Sequence, residues 1–406
     1  MSSQRAIIVG GGIGGLAAAR AFQRKGIQVT LLEKAAAFLP TTGAGFGFSA
    51  NGQLCVESLG LKDALTPILH PFRRHRVTTA NNELIYDGDQ LDKLGADIGY
   101  YLSGTMRADL VSLLANSLEQ DTIHYKSNVT AIHQDETSVQ VTLANGETFK
   151  GDFLVGADGV SSIVARTVID TTLDAPVYCG ENMFYGILDS IPAFGHAGEM
   201  AQHLEAGEYI QFPIGPTKFV WAQVYKGEAP PDQSEWTKGN TPEASLRAFL
   251  STLSPSHPLH AAVAITSPDR LLHFGLYYRK PKPSWHKGRV VLLGDACHAT
   301  LPHFGQGANQ AMEDAVVLAD AIATHGTKDL PTAFDAYFQK RFDRTKRVVD
   351  MAWYLGKFKQ MDGLVGRVVR NATLRYALES GVLMRTAFKE IVEHCPIPLP
   401  KKPKQP

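Results

Sequence analysis

Arg5–Lys34 reads RAIIVGGGIGGLAAARAFQRKGIQVTLLEK. Ala6 to Val9 is apolar, Gly10, Gly12 and Gly15 follow with the G-x-G-x-x-G spacing, and Val29 to Leu32 is apolar again. The order strand, Gly-rich turn, helix, strand is a complete βαβ unit, and such units build parallel sheets. Gly10 is needed for the tight turn, Gly12 so that the backbone can approach a pyrophosphate, and Gly15 for close packing of helix on strand; Gly14 lies in the same turn. Glu33, followed by Lys34, ends the second strand. An acid there accepts hydrogen bonds from ribose hydroxyls and repels a 2'-phosphate, which points to FAD or NAD and away from NADP as the ligand of this turn.

The rest of the chain is long enough, at 406 residues, for two domains or for one large domain carrying an inserted second one. Lys plus Arg and Asp plus Glu both number 40, so the formal charge is zero and nothing favours nucleic acid as a partner. Cys55, Cys179, Cys297 and Cys395 are scattered without metal-ligand spacing, so neither a metal site nor a disulfide framework is expected. The N-terminus shows no secretory signal pattern and no apolar run reaches membrane-spanning length, so a soluble, cytoplasmic protein is expected, a monomer or homodimer with no stable membrane association.

Two further strands end in Gly/Asp pairs. SVQVTLANGETFKGDFLVGADGVSS alternates Val139, Val141 and Leu143, turns at Asn145-Gly146, and is expected to return through Phe153 to Val155 before Gly156-Ala157-Asp158-Gly159. GRVVLLGDACHATLPHFGQGANQAMEDA runs from a buried strand, Val290 to Leu293, into Gly294-Asp295, a Pro, a Gly-Gln-Gly and a helix. Ligands of open α/β sheets bind at the C-terminal ends of strands. A carboxylate such as Asp295 at a strand end can accept from ribityl hydroxyls. Backbone N–H groups of Gly305, Gln306, Gly307 and Ala308 at the helix start can reach a flavin ring.

These three elements in this order resemble the single-component (class A) FAD-dependent monooxygenases, the para-hydroxybenzoate hydroxylase-like family, over nearly all of the first 345 residues. TTGAGFGFSANG and MRADLVSLL resemble two smaller pieces of the family pattern and add Gly45 and Arg107 as cofactor contacts. The resemblance implies bound FAD held by Asp158 and Asp295 and reduced by NADPH or NADH. It implies a flavin C4a-hydroperoxide, formed from O2, that hydroxylates or epoxidises an aromatic, heteroaromatic or polycyclic small molecule. Pro302 would border the reactive edge, with His303 and Tyr185 as candidate catalytic groups beside it. A flavin oxidase or reductase of the same superfamily stays open as an alternative, and a non-catalytic FAD-binding protein less so. Glu313 and Asp314 are expected to serve packing, Arg341 and Arg344 are read as structural, and His298 is expected to bond backbone in its turn. The usual Arg after A-D-G-x-x-S is displaced: Ala165 takes its place and Arg166 comes one later.

The expected fold is α/β: a Rossmann-like FAD-binding domain with a parallel sheet (residues 1–70, 101–174 and 281–345) interleaved with an antiparallel-sheet substrate domain (71–100 and 175–280). Residues 346–406 form C-terminal helices and a disordered tail. ENMFYGILDSI, EYIQFPIG, TKFVWAQVY and LHFGLYY read as strands of that second sheet, with Gln211, Phe212, Trp221 and Gln223 as candidate pocket lining. No second G-x-G-x-x-G unit is present, so the nicotinamide donor should visit rather than stay. In the C-terminal segment Val365, Val368, Val369 and Ala372 share helical spacing, expected in a helix packed over the two domains or a lid on the pocket, with a membrane-surface helix as the lesser alternative.

Overall fold

The structure, a computed structural model, describes residues 4–38, 44–79, 82–170, 175–229 and 243–400. Residues 41–43 of the TTGAGFGFSANG loop and 401–406 of the tail lie outside them.

Arg5–Val9, Gln28–Leu32, Ile123–His124, Phe153–Gly156 and Val290–Leu292 pair in parallel, with Arg5–Val9 between Gln28–Leu32 and Phe153–Gly156, and His286–Lys287 adds an antiparallel edge. The central strands are buried on both faces, which is why they are continuous runs of Ile, Leu and Val. Helices Ile13–Arg24 and Gly307–His325 pack on this sheet and on each other.

The second sheet has seven strands in the spatial order Leu271–Tyr278, Val177–Leu188, Phe219–Lys226, Glu208–Pro213, Glu199–Leu204, Arg74–Thr79, Leu84–Gly88. All its pairs are antiparallel except Glu199–Leu204 with Arg74–Thr79, which run parallel. One face carries Met183, Tyr185, Phe212, Ala222 and Val224. The other carries Phe184, Tyr209, Phe219 and Trp221 under the helices Glu243–Leu250 and Pro258–Ala264.

Two expectations need correction. The 139–155 hairpin closes earlier: Val139–Leu143 pairs with Thr148–Gly151, and the chain then leaves at Asp152 so that Phe153–Gly156 can join the parallel sheet. The short strand satisfies the hairpin ladder while the next one satisfies the larger core.

At the C-terminus, Leu330–Lys359 and Gly363–Glu379 are helices, but Val365, Val368 and Val369 face out, 75%, 60% and 47% exposed. The second helix packs instead through Arg370, Leu374 and Leu378. Arg370 donates to Leu204 O and to the carbonyls of Lys359 and Met361, and these bonds fix which face turns inward. No helix among the described residues is long and apolar enough to cross a membrane.

Candidate active site

A cavity of about 1330 Å³ runs from the Gly10–Gly14 turn, past Asp295 and Pro302, to the Met183/Tyr185/Phe212 face of the second sheet. It exceeds the roughly 300–1,000 Å³ of an ordinary small-molecule site, which leaves room for a dinucleotide and a second, smaller molecule together.

The glycine-turn end is shaped by close backbone contacts. Gly10 has φ +108°, and a Cβ there would lie 2.4 Å from Ala157 O; a Cβ on Gly15 would lie 1.9 Å from Gly10 O. Gly15 therefore packs behind the turn and does not line the cavity, while Gly10, Gly12 and Gly14 do. Glu33 Oε2 accepts from Gly11 N at 2.7 Å and Oε1 from Ala35 N at 2.8 Å, so the carboxylate is fixed at the cavity wall beside Lys34. Arg107, the first residue of the helix Arg107–Asn116, borders the same space, as does Gly45.

Asp295 opens onto the cavity and accepts no hydrogen bond from the described residues. Its side chain is exposed to the cavity, and the surrounding protein, by limiting its hydration, pushes the carboxyl up from the ordinary value. Its place is set from behind: Gly294 N donates to Asp314 Oδ2 at 2.9 Å, and Asp314 Oδ1 accepts from Arg341 Nε at 2.7 Å. His298 Nε2 lies 2.6 Å from Asp314 Oδ2, so this histidine bonds a carboxylate and not the backbone of its turn as expected. Glu313, next in this buried cluster, is gripped by Arg341, by Arg344 through two nitrogens at 2.7 Å, and by Asn51 at 2.6 Å. Burial alone would raise both carboxyls, yet the cations hold Asp314 down at about 2 and Glu313 below its usual value.

Asp158 is placed differently. Its carboxylate caps the turn that follows, accepting from Ser162 Oγ at 2.5 Å, Ile163 N at 2.7 Å and Val164 N at 3.2 Å. It borders the cavity with its oxygens already engaged. Gln306 likewise turns its side chain away, toward Asn51 and Ser49, so that its backbone, with Gly305, Gly307 and Ala308, faces the cavity at the start of the 19-residue helix. The first-turn N–H groups of that helix have no intrahelical acceptor and carry the positive end of its dipole.

The side chains expected to act on substrate divide. Phe212 lines the cavity. Tyr185 does too, but its hydroxyl accepts from Gly45 N at 2.6 Å and donates to Gly45 O at 3.1 Å, which commits it to joining the second sheet to the strand Gly45–Phe48. Pro302 borders the cavity.

His303, expected as a base or substrate contact, has a side chain only 1% exposed, with Nε2 2.7 Å from Glu181 Oε2 and Nδ1 3.6 Å from Glu208 Oε2. Burial pulls its pKa down, but the two carboxylates outweigh it and the net shift is upward. It is a buried ion-pair partner and not a free base.

Gln211 and Gln223 lie on the opposite face of the sheet: Gln211 donates to Phe194 O at 3.2 Å, and Gln223 Nε2 donates to Val224 O at 3.1 Å. Trp221 touches the cavity wall, but its indole donates to Thr266 Oγ1 at 2.9 Å and packs with Tyr209. Side chains alternate along a strand, so the neighbours Ile210, Ala222 and Val224 line the cavity instead.

His75, Gln202, Glu208 and Lys359 form a polar group on the cavity wall that no spacing in the sequence announced, since they come from three strands and the end of a helix.

The donor set suits FAD. An unengaged carboxylate sits at a strand end, and Gly12 and Gly305 leave the adjoining space open: a Cβ on Gly305 would meet nothing within 4 Å and one on Gly12 only the tip of Arg107. Comparison with known proteins agrees. The FAD binding domain family matches residues 3–352. The chain is 30% identical over 391 residues to the salicylate hydroxylase of Pseudomonas putida, covering 88% of this chain and 87% of that protein. It is 30% identical over 356 residues to the 3-amino-4-hydroxybenzoate 2-monooxygenase PtnB3 of Streptomyces platensis, covering 85% of each. The structure of Klebsiella pneumoniae HpxO complexed with FAD and uric acid aligns with a TM-score of 0.86 at 25% identity, covering 97% of this chain and 98% of that one. From the glycine turn, the Asp295 strand end and these matches together, the chain belongs to the FAD binding domain family, among its class A flavoprotein monooxygenases.

Proposed function

We propose that the protein uses NAD(P)H and O2 to hydroxylate or epoxidise an aromatic, heteroaromatic or polycyclic small molecule. The observation that carries this reading is the continuity of one cavity from the glycine turn and Asp295 to an apolar sheet face. The Gly10–Gly14 turn would hold the FAD pyrophosphate, Glu33 the adenosine ribose, Asp295 the ribityl chain, and the N–H groups of Gly305 to Ala308 the ring. Bound FAD would supply the electron transfer and oxygen activation that side chains cannot.

The chain's own residues do the rest. Met183, Phe212, Ala222 and Val224 exclude water and present an apolar wall to a ring compound. Pro302 closes the side between the Asp295 turn and the Gly305 loop, where the reacting edge would lie. Arg107, near both Glu33 and Asp295, and Lys34 line the cavity and suit an anionic dinucleotide. With no second nucleotide fingerprint in the sequence, the nicotinamide donor would bind only transiently.

Purified protein should be yellow and should oxidise NADH or NADPH faster when a substrate is present. With isotopically labelled oxygen gas, the product should carry one labelled atom. Substrate-stimulated oxidation that yields only hydrogen peroxide and unaltered substrate would overturn the reading in favour of an oxidase.

A further inference from the structure

Three neighbouring strands and a helix end build a hydrogen-bond chain at the substrate end of the cavity. Lys359 Nζ and Gln202 Nε2 both donate to Glu208 Oε1 at 2.5 Å. Burial would raise the Glu208 carboxyl, but Lys359 and His303 bring it down to about 2, so it is ionised and can only accept. This fixes the Gln202 amide with its NH2 toward Glu208 and its oxygen toward His75. That oxygen lies 2.8 Å from His75 Nε2, so Nε2 carries the proton and Nδ1 the lone pair. Burial lowers the His75 pKa to about 4, which keeps the ring neutral. Nδ1 has no partner among the described residues and is not occluded. His75 is 4% exposed and borders the cavity, so the lone pair opens inward.

We propose that His75 is a specificity-determining residue: its Nδ1 accepts a hydrogen bond from a neutral O–H or N–H on the substrate ring, while Gln202 and Glu208 are positioning residues that hold its tautomer. The inference rests on the reading of the cavity as a site for ring compounds. Two features of the cluster disfavour a carboxylate at this place. A carboxylate would set lone pair against lone pair at Nδ1, and the nearby cations Lys359 and His303 are already held by Glu208 and Glu181. Gln202 has no titratable proton to pass on, so His75 orients the ring and does not relay protons outward.

The test is equilibrium binding to the FAD-loaded, full-length protein without NAD(P)H, read from the flavin absorbance. The probes are 1-naphthol and 2-quinolone, their O-methyl and N-methyl partners, and 1-naphthoate. In the wild type the O–H and N–H members should bind roughly tenfold more tightly than the methylated partners and than naphthoate, the worth of about one hydrogen bond. His75→Phe should erase the difference, and His75→Asn, whose side-chain oxygen can take the place of Nδ1, should keep most of it. Gln202→Leu, which leaves the ring in place but frees its tautomer, should reduce the preference; this variant and His75→Asn carry the test if His75→Phe does not fold. An unchanged preference in the folded His75→Phe or Gln202→Leu variant, equal binding of the methylated or carboxylate probes to the wild type, or no probe bound at all would each overturn the inference. Failure of the monooxygenase reading would show separately, as binding preferences intact with no oxygen incorporated.

Discussion

Two buried ionic clusters divide the labour of this molecule. The first, Glu313, Asp314, Arg341 and Arg344, is sealed behind the cofactor end, with side chains between 0 and 4% exposed. The second, Glu181, Glu208, His303 and Lys359, joined through Gln202 to His75, borders the substrate end. Each arginine in the first makes several bonds to carboxylates, and the cluster ties two long helices to the Gly294 turn that presents Asp295. The second leaves one atom, His75 Nδ1, open to the cavity. Both clusters stabilise the fold, but only the second is arranged to read a ligand.

The largest effect that would break this contrast lies in the sealed cluster. Arg341→Met should destabilise the protein by about 3–5 kcal/mol in urea unfolding, because two buried carboxylates lose their shared cation. A loss below about 1 kcal/mol would show that the cluster is not load-sharing in this way.

Glu208→Gln should cost less, about 1–3 kcal/mol, and should change the pH response. Glu208 lies below its ordinary value of 4.5, so its contribution is present above that value and lost as pH falls toward about 2. His303 lies above its ordinary value of 6.5, so its contribution is full below that value and fades as pH rises through the raised one. Urea midpoints measured from about pH 3 to 9 should therefore flatten on both flanks in this variant relative to the wild type. Unchanged flanks would remove the pair from the account.

Gln223→Leu should have the smallest effect, within about 1 kcal/mol in stability and without change in substrate KM, because its amide faces away from the cavity, makes one hydrogen bond to Val224 O and leaves its buried Oε1 without a partner. By contrast, Phe212→Ala, on the opposite face, should raise KM severalfold while leaving the flavin spectrum intact.

The same contrast explains what could be read from the sequence. The cofactor end rests on local geometry: glycine spacing, an acid at a strand end and a Gly-Asp turn are set by residues close together in the chain, and Gly10, Glu33 and Asp295 sit at the cavity as their spacing implies. The substrate end depends on strand phase. In Phe219–Lys226 the first six residues are all buried, because one face meets the cavity wall and the other the helices. No polar alternation marks which side Trp221 or Gln223 takes: Gln223 turns away from the cavity, while Trp221 touches its wall with its indole bonded on the opposite face. His75, Gln202, Glu208 and Lys359 meet only through the parallel pairing of Arg74–Thr79 with Glu199–Leu204 and the return of a distant helix, a conjunction without a local signal. His303 drew attention as a polar residue in a cofactor loop, but its partners Glu181 and Glu208 lie on two strands far away in the chain.

The most direct test of the central claim is FAD affinity in Asp295→Ala. Asp295 is the carboxylate on the cavity wall left without a partner among the described residues, and a hydrogen bond to a charged acceptor contributes about 1.5–3 kcal/mol, or roughly 10- to 100-fold in affinity. FAD titration of the apoprotein, followed by flavin fluorescence, should show a loss of that size with the unfolding midpoint near that of the wild-type apoprotein. FAD binding as tight as in the wild type would contradict the placement of the cofactor in this cavity.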